Sequence, residues 1–251
     1  MLKGLGVDVL TFPDSPSGRT RIDSVLMAQK VKNVTGFEVM PHICCRDKNA
    51  IAVRSTFLGA SINGINNFLI ITGDPIPVMA RQVVKSVFNF DSVGLMRIAD
   101  EMNSEALKDR PLTYGGAINQ SRRRIESEIK RVQKKMEAGA EFFLTQPVFT
   151  AEDAERLRRV KEETGARILC GIMPLVSRKN ALFMKNEISG VNVTDEDIER
   201  YPETADREDG ENVGVELAKE MIAATRDFAD GYYFSFPFNR TYLLKRIIEE
   251  L

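Results

Sequence analysis

Short apolar runs alternate with longer amphipathic ones along the whole chain. Residues 7–12 (VDVLTF), 38–43 (EVMPHI), 68–72 (FLIIT), 112–117, 141–145, 167–172 (RILCGI) and 231–235 (GYYFS) have the length and the β-branched or aromatic content of strands. Between and after them, apolar positions at the helical period predict helices over 19–32, 49–62, 91–108, 122–138, 151–163 and 240–251. FLIIT is apolar throughout, as expected for a strand buried on both faces. A longer helical and acidic stretch separates the last two strands. Its most polar part, 192–211, reads as an exposed helix-loop insertion.

Repeated strand–helix units imply parallel pairing with right-handed crossovers. An open doubly wound sheet and a closed barrel both satisfy that pattern. The open nucleotide-binding fold needs a Gly-rich turn after its first strand, whereas Phe12 is followed by Pro-Asp-Ser-Pro-Ser-Gly. Polar residues instead follow many strands: Asp14, Arg46, Asp47, Gly73, Asp74, Asn119, Gln146, Asn239 and Arg240. A barrel uses its strand C-termini in this way, because every loop there opens onto one mouth. The expected fold class is α/β, a (β/α)8 TIM-type barrel forming one domain over residues 1–251. Seven strands are counted and the first opens after six residues. Strand 1 and most of helix 1 of such a barrel are therefore expected to be missing from this chain.

Composition narrows the function. With 43% hydrophobic and 28% charged residues the chain has an ordinary globular makeup. A formal net charge of −1 provides no field to hold a nucleic-acid backbone or an anionic membrane, so neither is an expected partner. Three cysteines, two of them adjacent, make no disulfide framework and point to a reducing compartment. No signal peptide or membrane-length apolar run is visible, and the expected location is cytoplasmic. The single histidine and the lack of C-x-x-C or H-x-x-x-H spacing argue against a metal site.

Four constellations remain. His42 closes a strand within PHICCRDKN (41–49), either as a structural histidine or in place to touch a cofactor ring. Thr72-Gly73-Asp74-Pro75 follows the most apolar strand; Gly73 admits a planar ligand close to the backbone and Asp74 supplies a carboxylate, although G-D-P is also good turn chemistry. On the helix 122–138, Ile125, Ile129, Val132 and Met136 form an apolar stripe. Beside it run Arg124, Glu128, Arg131 and Lys135, either a solvated ion-pair face or a cradle for a diphosphate. Gln146, in FLTQPVF (143–149), offers a donor and an acceptor side by side, the pattern that reads a pterin edge.

Together with GIMPL (171–175) and FPFNR (236–240), these segments resemble the methylenetetrahydrofolate reductase family, in its order and spacing over nearly the whole chain. ITGDP and FLTQPVF look most like the reductase half of bacterial proteins that fuse it to a homocysteine methyltransferase. The resemblance implies a barrel that binds FAD, takes a hydride from NAD(P)H and reduces methylenetetrahydrofolate to methyltetrahydrofolate. It implies flavin contacts for His42, Thr72, Gly73, Asp74, Phe88 and Asn89, and ribityl and phosphate contacts for Glu128, Arg131 and Lys135. Asp74 corresponds to the catalytic aspartate beside flavin and pterin, where a carboxylate disfavours the anionic reduced flavin. Gln146, Phe236 and Arg240 correspond to folate-side positions, Phe236 standing where some relatives have tyrosine. A homo-oligomer or a companion methyltransferase or electron-transfer subunit is also implied.

Two departures qualify the resemblance. Relatives open with F-E-F-x-P-P, whose glutamate is the general acid, and no position here matches it. Ile118 replaces an aromatic that faces the flavin. The alternative reading is thus a partner-dependent or inactive flavin-binding subunit. An unrelated lyase or aldolase barrel would want a catalytic lysine at a strand end, and none of these strands ends in one.

Overall fold

A computed structural model describes residues 2–188, 190–203 and 206–248. The last three residues of the expected closing helix lie outside the described residues. The chain forms two compact units, Leu2–Ala117 with Gln133–Glu141, and Ile118–Val132 with Phe142 onward.

The first unit carries strands β1 (Val9–Phe12), β2 (Glu38–Cys44), β3 (Asn67–Ile71) and, up to Ala117, β4 (Thr113–Ile118), with helices α1 (Ser24–Thr35), α2 (Ala50–Ile62) and α3 (Ser92–Ser104). The strands pair in parallel and in chain order, with Val9 opposite Glu38, His42 opposite Leu69 and Asn67 opposite Thr113. The start of α1 follows its cap rather than the apolar period. The Asp23 carboxylate accepts from Val25 N at 2.9 Å and Leu26 N at 3.0 Å, so α1 begins at Ser24 and not at residue 19. Asn49 and Asp91 cap α2 and α3 in the same way. Val39, Ile43, Phe57, Phe68 and Ile70 form the buried interior, with Phe57 edge-on to Phe68 at 5.0 Å.

The second unit holds helix α4 (Ile125–Glu137) up to Val132, then β5 (Phe142–Pro147), α5 (Ala151–Thr164), β6 (Ile168–Ile172), α6 (Arg178–Glu187), α7 (Asp195–Glu199), α8 (Arg207–Thr225), β7 (Gly231–Phe234) and α9 (Leu243–Ile248). Its strands are again parallel and in chain order. Both units therefore have the expected α/β alternation, with element ends mostly shifted by a few residues. Among the described residues, no helix is long and apolar enough to cross a membrane.

One expectation needs correction. The polar run 192–211 is not simply an exposed insertion. Thr194 and Asp197 build a reciprocal capping box that starts α7. This turns Ile198 and Tyr201 into a buried cluster with Leu175, Met184 and Leu217. The Tyr201 hydroxyl donates to Leu175 O at 2.9 Å, which satisfies its one polar atom inside the core. Average polarity over twenty residues hides three buried anchors, Val193, Ile198 and Tyr201. Ile198→Ala should consequently lower the unfolding free energy by about 2–4 kcal/mol, as expected for core truncation, read as a shift in urea midpoint. A loss below about 0.5 kcal/mol would return this segment to the exposed-loop description.

Candidate functional site

In the first unit, chemistry gathers at the C-terminal ends of β1, β2 and β3. Arg46 is only 2% exposed, and its guanidinium ties three loops together. It grips Asp47 through Nε at 2.9 Å and Nη2 at 2.6 Å, while Nη1 donates to Ser15 O at 3.0 Å and Asp74 O at 3.3 Å. Asp14 completes the knot by accepting from Cys44 N at 3.1 Å and from Lys48 Nζ at 2.8 Å. Gly73 sits at φ +95°, where an added Cβ would lie 2.9 Å from Cys44 Cβ. Strand β3 can therefore turn closely over β2 only with glycine there. Asp74 is exposed, and its Oδ2 accepts from Ser17 N at 2.6 Å. Ser15 and Ser17 both take left-handed backbone angles to bring that N–H into position.

His42 lies within this group on β2, and its Nε2 is buried without a hydrogen-bond partner. Burial pushes the imidazole down to about 4, against the opposing pull of the Asp14 carboxylate. The ring is thus neutral at ordinary pH. Burial also pushes the Cys44 and Cys45 thiols up to about 11, so neither supplies a thiolate nucleophile. Thr72 accepts from Ser92 N at 3.2 Å through its hydroxyl, which helps cap α3. Phe88 and Asn89 stand on an exposed loop whose Val87 N donates to Arg46 O at 2.7 Å. Lys135, only 4% exposed, donates its ammonium to Ala117 O at the end of β4.

The second unit presents the other predicted residues. Glu128 is 2% exposed: Oε1 accepts from Asn119 N at 3.0 Å, and Oε2 lies 2.9 Å from Arg122 Nε and 3.7 Å from Arg131 Nε. Arg131 Nε itself is buried with no hydrogen-bond partner. With Glu128 and Lys135 both buried, the charged stripe of α4 is not the solvated face that its spacing allows; Arg124 alone of the four is fully surface-facing. Gln146 is half-buried near the end of β5, where the pairing with β6 is irregular. Phe236 stacks on Phe234 with ring centres 6.1 Å apart. Arg240 Nε lies 3.3 Å from the buried Glu211 carboxylate, and its Nη1 is buried and unpartnered. Phe238 and Asn239, immediately before it, both take left-handed angles.

Within each unit, most residues singled out by sequence fall near strand ends or on the α4 face, whereas Phe88 and Asn89 lie on the exposed loop between β3 and α3. Sequence reasoning placed Arg46 and Asp14 after their strands but gave them no role, and it passed over Glu211 and Gln120. Glu211 looks like half of a surface i,i+4 pair with Arg207; its burial comes from contacts with Tyr242 and Arg240 that no local spacing announces.

A family model described as methylenetetrahydrofolate reductase matches residues 3–251. The 5,10-methylenetetrahydrofolate reductase of Buchnera aphidicola subsp. Schizaphis graminum is 25% identical over 225 residues, covering 85% of this chain and 71% of that protein. Its counterpart from Salmonella typhimurium is 26% identical over 175 residues, covering 68% of this chain and 55% of that protein. The chain thus spans 71% of the length of one of these relatives and 55% of the other. Two crystal forms of 2,3-dimethylmalate lyase, a PEP mutase/isocitrate lyase superfamily member, match with TM-scores of 0.51 at 16% and 13% identity. They cover 68% and 90% of this chain, and 61% and 73% of their own. At such identity the likeness concerns the fold alone.

Because the chain has one histidine, a proton NMR titration reads His42 without ambiguity. The expected midpoint is about 4, and a midpoint near 6.5 would contradict the buried, neutral ring. The unfolded chain takes up this proton near 6.5 and the folded chain near 4. The stabilising contribution is therefore complete above about 6.5 and is lost as pH falls toward 4, by about 3 kcal/mol in all. His42→Gln should flatten that part of the stability–pH curve.

Proposed function

Because the chain belongs to the methylenetetrahydrofolate reductase family, a family of enzymes, we propose that it reduces methylenetetrahydrofolate to methyltetrahydrofolate with FAD as cofactor and NAD(P)H as electron donor. The family match over residues 3–251 is the observation that carries this reading. In this reading the seven strands are strands two to eight of a (β/α)8 barrel formed as one domain. The protein works in the cytoplasm, as a homo-oligomer or beside a companion methyltransferase or electron-transfer subunit.

The residues present fit a bound flavin. His42 Nε2 and Arg131 Nε are buried without hydrogen-bond partners, and the polar edge and hydroxyl or phosphate oxygens of a flavin nucleotide would meet such groups. When bound, FAD supplies hydride transfer between nicotinamide and folate. The neutral His42 imidazole gives a hydrogen-bonding group without adding charge. Thr72 and Gly73 keep the backbone at the end of β3 close and narrow, and Phe88 and Asn89 flank the same loop region. Glu128, Arg131 and Lys135 take the ribityl and phosphate groups. Asp74, held by Ser17 N, keeps one carboxylate oxygen committed and the other for ligand. Gln146, Phe236 and Arg240 serve the folate, Gln146 through its amide and Arg240 through the unpartnered Nη1.

The test is steady-state formation of methyltetrahydrofolate by the purified full chain supplied with FAD and NAD(P)H. Asp74→Asn should retain FAD and lose about 10²-fold in folate turnover, the scale of removing one preorganised electrostatic group. Full activity in that variant would remove Asp74 from its role. Arg131→Ala should weaken FAD binding about tenfold, the scale of one charge-assisted hydrogen bond. An unchanged dissociation constant would return Arg131 to the surface ion-pair description.

A further inference from the structure

The end of β5 contains a β-bulge. Phe143 pairs with Ile168 and Leu144 with Leu169, but the next pair is Pro147 with Gly171, so β5 holds one residue more than β6 between them. The surplus falls at Thr145–Gln146 and takes their backbone groups out of the regular ladder. Both of their carbonyl oxygens are then met by side chains. Gly171 N donates to Thr145 Oγ1 at 2.9 Å, and that hydroxyl donates to Gln146 O at 2.7 Å. Tyr233, on β7, donates its hydroxyl to Thr145 O at 2.9 Å. Gln120 donates Nε2 to Gln146 O at 3.0 Å and to Pro147 O at 3.3 Å.

Two details show that these contacts are specific. Gln120 is completely buried, and its Oε1 has no hydrogen-bond partner. Leaving an acceptor unmet inside a protein is unfavourable, yet the amide stays there with its donor turned to the bulge. Tyr233 reaches Thr145 only because Gly171 has no side chain: a Cβ at Gly171 would lie 2.8 Å from the tyrosine ring. Burial pushes the Tyr233 phenol up to about 12, so it remains a donor at all ordinary pH values.

We propose that Tyr233 and Gln120 are positioning residues: they lock the bulge at Thr145–Gln146 and thereby set the direction in which the Gln146 amide meets its substrate. This rests on the reading of Gln146 as a folate-side group. Bulges re-aim side chains next to active sites, and neither positioning residue needs to touch the ligand.

The test is a double-mutant cycle on methyltetrahydrofolate binding by the FAD-loaded full chain. Tyr233→Phe removes one hydroxyl and keeps the ring. It should raise the folate dissociation constant and KM about three- to tenfold, the scale of one lost hydrogen bond, with kcat at saturating folate changed less than twofold. In a Gln146→Ala background the same substitution should have no effect, because the amide it aims is gone. Gln120→Met should behave likewise, which covers the case in which one variant folds poorly. An equal effect in both backgrounds, or none in the parent chain, would overturn the proposal. If Gln146→Ala alone leaves folate affinity unchanged, the folate-side reading of Gln146 fails first and the positioning role falls with it.

Discussion

A buried polar group must find partners, and at the C-terminal ends of parallel strands this requirement shapes most of what surrounds the candidate site. The Arg46 guanidinium is the strongest instance. Deprived of water, it takes Asp47, Ser15 O and Asp74 O, and so binds the loops after β1, β2 and β3 into one rigid group. Asp14 does the same with Cys44 N and Lys48. Removing Asp47 would leave the buried Arg46 guanidinium without its carboxylate, which costs more than the contact itself contributes. Rigid loops at strand ends are what a site needs in order to present Asp74 and Thr72 at fixed positions.

The second unit meets the same requirement without a buried arginine at its centre. There the bulge in β5 exposes backbone groups that Thr145, Gln120 and Tyr233 satisfy. Both solutions leave a few polar atoms unmet: His42 Nε2, Arg131 Nε, Gln120 Oε1 and Arg240 Nη1. Most lie on residues that the family resemblance assigns to flavin or folate. Groups that the chain alone does not satisfy are natural points for a ligand to complete, and burial around His42 keeps that group uncharged.

Much of the fold was legible in the residues themselves. FLIIT is apolar and β-branched, and it forms β3 almost as read. The period of 125, 129 and 132 marks the buried face of α4 correctly. The starts of α2 and α3 fell within one residue of the reading, but that of α1 did not, because the Asp23 carboxylate decides it through hydrogen bonds that periodicity does not register. Ile198 and Tyr201 escaped notice for a related reason, being isolated anchors inside a polar run. For the site, the short motifs around His42, Asp74 and Gln146 were visible as segments. The support behind Gln146 was not: Tyr233 lies 88 residues from Thr145 and Gln120 lies 26 from Gln146, and no spacing rule links such pairs. The burial of Glu128 and Lys135 was equally hidden, since the same stripe serves a solvated face or a closed one.

The proposed activity is hydride transfer from a nicotinamide to a folate through bound FAD. The most direct measurement separates the two halves of that reaction under anaerobic conditions, following the visible flavin absorbance of the purified, FAD-loaded chain. Addition of NAD(P)H should bleach the flavin band, and subsequent methylenetetrahydrofolate should restore it with formation of methyltetrahydrofolate. A chain that takes up no FAD, or whose bleached flavin is not reoxidised by methylenetetrahydrofolate, would not be a methylenetetrahydrofolate reductase acting through FAD.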